Sequence, residues 1–158
     1  GGAVLAALLL LRRSGPDPDA DLDALTRMLL TETDFAHPPA EMAQIVWVAL
    51  NRMRRHSGNA FDVVTGPTWC HTTQCRARFD RMGSHPRWED ARLFVQRVLA
   101  GAHKNIGYVA FVHPSGMSST TPCSRPELVW TQTNAGMRCI PKWAVGGDVI
   151  GQGMFARA

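Results

Sequence analysis

At 158 residues, 45% hydrophobic and 19% charged, the chain has enough apolar material for one compact core and too little for two comfortable domains; its 14 glycines and 10 prolines are spread along it, which argues against long disorder. The formal charge of +4 is unevenly held, since residues 1–34 contain six acids and three bases and the remainder seven acids and fourteen bases. That basic body suits an anionic polymer or lipid as well as nucleic acid, but no run of basic residues is interleaved with aromatics, which weighs against nucleic acid.

The chain opens on an apolar run of nine residues, Ala3 to Leu11, too short for the roughly 20 residues a membrane-spanning helix needs. Its positive charge, Arg12 and Arg13, follows the run instead of preceding it, unlike a cleavable signal peptide. Residues 1–19 therefore read as an anchor remnant or a packing helix with its linker, and residues 20–158 as the domain. "SGPDPDADLD" at 14–23 joins that linker to a helix start, with Asp19, Asp21 and Asp23 near the positive end of the dipole. The first domain helix is expected from about Ala20 to Thr33.

"HPP" at 37–39 breaks the chain and opens a second helix, with Glu41 in its first turn. Met42, Ile45, Val46, Ala49, Leu50 and Met53 follow helical spacing and mark its core face. No sustained period runs between Phe61 and Gly83, so that stretch is expected to be irregular, held by its cysteines, and suited to lining a site. A third helix is expected after Pro86, with Trp88, Ala91, Val95, Val98 and Leu99 on one face and Gly101 at its end. "IGYVAFVH" at 106–113 is strand-like, and pieces around 128–131 and 148–155 are candidate partners. The fold class is α+β, helices first and a small antiparallel β element last.

Cys70, Cys75, Cys123 and Cys139 are even in number and lie in loop-forming segments, a pattern that suits disulfides and an oxidising, extracytoplasmic compartment. Four cysteines allow three pairings; adjacent pairing, 70 with 75 and 123 with 139, is the choice made. The competing reading is zinc held by Cys70, His71 and Cys75 with a more distant ligand, although no paired CxxC supports it.

One residue breaks the pattern. Leu22, Leu25, Leu29 and Glu32 share a helical face, and a charge among leucines costs several kcal/mol or so unless it is paired or its pKa rises. The plain alternative is a helix-end carboxylate paired with an arginine. The run "LTRMLLTETDFAHPPAEMAQIVWVALNRMRR" at 25–55, followed by "FDVVTGP" at 61–67, "ARLFVQRVLAGAHKNIGYVAFVHP" at 91–114 and "WAVGGDVIGQGMF" at 143–155, resembles the SleB/CwlJ-type cell wall hydrolases in order and spacing. The family's glutamate matches Glu32, and its "LNR" matches Leu50, Asn51 and Arg52. This chain departs from the family where Thr31 and Thr33 replace small residues, where Gly153 and Ala156 stand for a histidine and a tyrosine, and where Phe111 stands for a histidine that one branch carries.

The resemblance implies a lysozyme-like, mainly helical fold and cleavage of the bond between N-acetylmuramic acid and N-acetylglucosamine in peptidoglycan, without cofactor or metal. It implies a lytic transglycosylase route with Glu32 as general acid and base. The chemistry agrees, because a glycosidic oxygen leaves only when protonated and burial against apolar side chains keeps a carboxyl protonated near neutral pH. Hydrolysis usually employs a second carboxylate, and Asp34, Asp62 and Asp80 are poor candidates, which favours transglycosylation over hydrolysis.

Around Glu32, Asn51 is either solvated or orients the Glu-bearing loop or a sugar acetamido group, and Arg52 divides the same way. Tyr108 and His113, on or after the strand, are packing residues or a sugar-stacking wall; Trp69 is a core plug or a sugar platform. Expected partners are peptidoglycan strands, with a phage-like particle or membrane assembly as a larger context. Two rival functions are a non-catalytic wall-binding module and a zinc-dependent wall amidase or peptidase.

Overall fold

In a computed structural model, residues 17–56 and 58–157 are described. The apolar run Ala3–Leu11, with its anchor or packing-helix reading, lies outside them. Helix α1 spans Pro18–Thr33, beginning slightly before the expected Ala20 because Asp17 caps it, accepting from the backbone N–H groups of Asp19 and Ala20 at 3.0 and 3.3 Å. Leu22, Leu25 and Leu29 are buried as the spacing predicts, each burial contributing about 1.5–3 kcal/mol. Asp21, also buried, accepts from Ala60 N–H at 2.9 Å and so ties α1 to the start of the next short helix.

Helix α2, Pro39–His56, is buried on more than the one expected face: Ala43, Gln44, Trp47 and Val48 are enclosed along with Met42, Ile45, Val46, Ala49, Leu50 and Met53. It is the hub of the core. Strand β1 (Tyr108–Val112) covers one side of α2, while α1 and the short helix α3 (Ala60–Val64) cover another.

The stretch 61–83 is more ordered than its lack of period predicts. It contains α3, capped by the Asn59 side chain on Asp62 N–H at 2.8 Å, and α4 (Thr73–Arg81), capped by Thr72 on Cys75 N–H at 3.2 Å. Only Phe79 of α4 is buried, so the helix has no apolar stripe for a periodicity to reveal. The irregular part shrinks to residues 65–72, pinned by a disulfide from Cys70 to Cys75 in the first turn of α4. Helix α5 (Trp88–Leu99) follows, buried through Ala91, Val95, Val98 and Leu99, and Gly101 with φ of 94° ends it.

The β element is two small antiparallel sheets. Strands β1, β5 (Gly153–Arg157) and β4 (Asp148–Ile150) form one, in the order β1-β5-β4, with Phe111 opposite Phe155 and Val112 opposite Met154. The segment at 128–131 does not join β1 as expected: as β2 (Leu128–Thr133) it pairs with β3 (Gly136–Pro141) in a hairpin of its own. The Asn134–Gly136 turn, with Gly136 at φ 92°, closes that hairpin locally and outcompetes a distant partner. A disulfide from Cys139 in β3 to Cys123 ties the hairpin to the segment that precedes it, and Ile140, Ala144 and Met154 pack it against the first sheet. The chain is thus α+β, with its small antiparallel sheets late. Among the described residues no helix is long and apolar enough to cross a membrane.

Candidate active site

The site grows from the C-terminal end of α1. Two successive non-glycine residues, Asp34 at φ 51° and Phe35 at φ 57°, adopt the left-handed region, at a cost on the order of 1–2 kcal/mol each. Local bonds compensate: Asp34 N–H donates to Leu30 O at 2.8 Å, Phe35 N–H to Thr33 Oγ1 at 3.1 Å and Ala36 N–H to Thr33 O at 2.9 Å. Phe35 also packs edge-on against Phe94, 5.8 Å away. The turn stops α1 directly after Glu32 and sends the chain through His37 and Pro38 into α2. Backbone strain concentrates beside functional groups more often than elsewhere.

Glu32 is half-buried, and its Oε1 accepts a hydrogen bond from Trp69 Nε1 at 3.0 Å. No ion pair to Glu32 forms among the described residues, so the plain reading of a carboxylate paired with an arginine does not describe it. Burial raises its pKa above the ordinary carboxylate value, opposed in descending order by the Trp69 hydrogen bond and the charges of His113, Arg78 and His37. The charges acting on it are all basic.

The other acids lie elsewhere. Asp34 is exposed and engages Arg78 at 3.2 Å and His85 at 3.6 Å; Asp80 is exposed and pairs with Arg76 at 3.1 Å; Asp62 is exposed at the start of α3.

Trp69 is the second member of the site. The guanidinium of Arg52 stacks on its indole, 4.7 Å from the ring centre, and Arg52 also donates from Nε to Val109 O at 2.7 Å. Arg52 thereby fastens the 65–72 loop to β1. Burial lowers its pKa, and the neighbouring Glu32 partly restores it. On the other side Phe111 meets Trp69 edge-on at 5.5 Å and stacks on Phe155 at 5.8 Å, so an aromatic wall runs from the cysteine loop into the sheet.

His113 sits half-buried next to Phe111, 5.5 Å between ring centres, and its Nε2 meets Glu41 Oε2 at 2.9 Å. Glu41 is fully buried. Its Oε2 is also met by His37 Nδ1, and its Oε1 accepts from Gln152 N–H at 2.6 Å. Gly151, at φ 57°, abuts Oε1 so closely that any side chain there would collide with the carboxylate. Among the described residues, His37, Glu41 and His113 form a group whose donor types could hold a metal ion.

Of the six residues singled out from sequence, Glu32, Trp69, Arg52 and His113 are brought together. Asn51 and Tyr108 are turned to structural duty. The Asn51 amide is engaged by Asn105 through two bonds at 2.8 and 3.1 Å and donates to Tyr108 O at 2.8 Å, which makes it a strut between α2 and β1. Tyr108 is buried, with its hydroxyl donating to Asp148 Oδ2 at 2.6 Å and its ring against Phe155. Of the two readings of Tyr108, its contacts are those of strand packing, and the aromatic beside Trp69 is Phe111.

Sequence reasoning also missed His37 and Glu41. Their i, i+4 spacing was visible, but a glutamate in a first helical turn ordinarily serves the dipole at the surface. The cysteine-based zinc reading fails because Cys70 and Cys75 spend their sulfurs on each other. No family model, curated protein or solved structure matches the chain.

Proposed function

We propose that the protein is a peptidoglycan-cleaving glycosidase with a lysozyme-like fold, cutting the bond between N-acetylmuramic acid and N-acetylglucosamine as a lytic transglycosylase. One observation carries the reading: Glu32 has its pKa raised by burial and, among the described residues, one neutral donor on its carboxyl, no ion pair and no acidic neighbour acting on it. Such a group is suited to deliver a proton and then take one back.

Glu32 would protonate the glycosidic oxygen as its bond to the muramic acid's anomeric carbon breaks. The carboxylate then left would accept the proton of the muramic acid's own 6-hydroxyl as that oxygen attacks the same carbon, closing a 1,6-anhydro ring and consuming no water. A single carboxyl serves both steps. Half-buried Trp69 and Phe111 stand beside Glu32, and the basic side chains of Arg78, His37 and His113 lie near enough to act on it, surroundings that suit an anionic sugar polymer. Two disulfides suit work outside the cytoplasm, at a cell surface, in a periplasm or on a phage-like particle.

The test is mass spectrometry of peptidoglycan incubated with the purified protein and with Glu32→Gln. Anhydro-muramic ends from the wild type and none from the variant are expected. Reducing ends would turn the reading to hydrolysis, and identical products from both proteins would end it.

A further inference from the structure

His37 leads into α2, Glu41 occupies its first turn, and His113 follows β1, so the three come from two segments far apart in the chain. Their ligand atoms, His37 Nδ1, Glu41 Oε2 and His113 Nε2, all lie within 4.8 Å of one another. Two imidazole nitrogens and one carboxylate oxygen are a donor set for a borderline divalent cation such as Zn2+, in which three protein ligands leave a further position for solvent. The carboxylate is oriented from behind: Gln152 N–H holds Oε1, and the bare Gly151 gives that oxygen room, so Oε2 is the atom turned to both imidazoles. Metal ligands are characteristically held by such outer hydrogen bonds.

Access differs between the members. The Glu41 side chain is 0% exposed, whereas the side chains of His37 and His113 are each 16% exposed, which gives a cation a way in past the imidazoles. Their ring centres stand 4.9 Å apart and the rings are tilted by 55°, so they converge on the carboxylate instead of stacking flat on each other.

We propose that His37, Glu41 and His113 form a binding site for one divalent transition-metal cation of the zinc class. In the structure His37 Nδ1 and His113 Nε2 both face Oε2, the latter at 2.9 Å. On binding, each neutral imidazole would carry its proton on the outward nitrogen, freeing Nδ1 of His37 and Nε2 of His113 as ligands. The sequence reading assigned no metal here, and this inference stands independently of the proposed glycosidase activity.

The chelator-treated wild type is titrated with Zn2+ by calorimetry and with Co2+ by visible absorption. One ion per chain and the absorption of a low-symmetry Co2+ complex are expected. His37→Ala and His113→Gln, the latter keeping an amide donor for Glu41, should each weaken Zn2+ binding by about 100-fold or more. His71→Ala should leave it unchanged, and circular dichroism checks that each variant is folded. Should either ligand variant unfold, nuclear magnetic resonance of the wild type decides, since Zn2+ must then shift the ring signals of His37 and His113 together. Failure to bind a single ion, binding that survives both substitutions, or ring signals that stay in place would overturn the proposal.

Discussion

Two glutamates flank the strained turn, and they meet opposite treatment. Glu32, at the end of α1, is half-buried and receives one hydrogen bond, from the Trp69 indole. Glu41, in the first turn of α2, is fully enclosed and receives three, from His37, His113 and the Gln152 backbone. The more deeply buried carboxyl is thus the better supplied with donors. Burial with few donors leaves the cost of the charged form less fully offset, which is the condition the proposed proton transfer by Glu32 requires.

The largest expected effect separates the two by activity. Glu32→Gln should lower muropeptide release by about 10²- to 10⁴-fold, the usual contribution of a positioned acid, with the fold intact by circular dichroism. The same variant should gain stability at neutral pH. Because folding raises the Glu32 pKa from its ordinary 4.5, the folded chain holds more protons than the unfolded one between those two values, and stability falls as pH rises through that window. The glutamine has no such slope, so denaturant titrations should show its advantage at pH 7 and none below the ordinary value.

Glu41→Ala tests the opposite half of the comparison. It removes a buried carboxylate and leaves the donors of His37, His113 and Gln152 without their acceptor, and should cost about 3 kcal/mol in a urea denaturation, with activity falling only as far as the fold does. Gly151→Ala presses on the same carboxylate from outside and forces a side chain into a left-handed backbone; about 2 kcal/mol is expected by the same measurement. If Glu41→Ala is as stable as the wild type, the bonds to its carboxylate do not hold the fold.

Trp69→Phe is the mildest. It removes the donor that holds the Glu32 pKa down, so the alkaline limb of the activity profile should move to higher pH. The rate at neutral pH should change by about fivefold, the equivalent of a hydrogen bond worth about 1 kcal/mol. A limb that stays in place would mean that Trp69 does not govern the acid.

Much of this was legible in the sequence where a residue's environment is set by its own helix. The leucine face put Glu32 beside the core, and the apolar spacing of α1, α2 and α5 located three helices within a few residues of where they lie. Glu41 was not legible, because its burial depends on His113 and Gln152, 72 and 111 residues away, which no local period encodes. Helix α4 was missed for a related reason: it rests on a cap and a single buried phenylalanine. Which aromatic of β1 would meet Trp69 was not legible either, because the register shift between Tyr108 and Ala110 breaks simple alternation along the strand.

The bond from Gln152 to Glu41 also has a bearing on when the site comes into being. Helix α1 and its leucine face can organise from local contacts, but closing a loop of 111 residues costs about 4 kcal/mol of chain entropy before any contact across it is rewarded. The wall formed by β1 and β5 should therefore assemble last during folding, so that a partly folded chain holds Glu32 before Phe111 and His113 stand beside it. Pulse-labelled hydrogen exchange should find the Gln152 amide protected later than those of α1, and simultaneous protection would show instead that helix and sheet condense in one step.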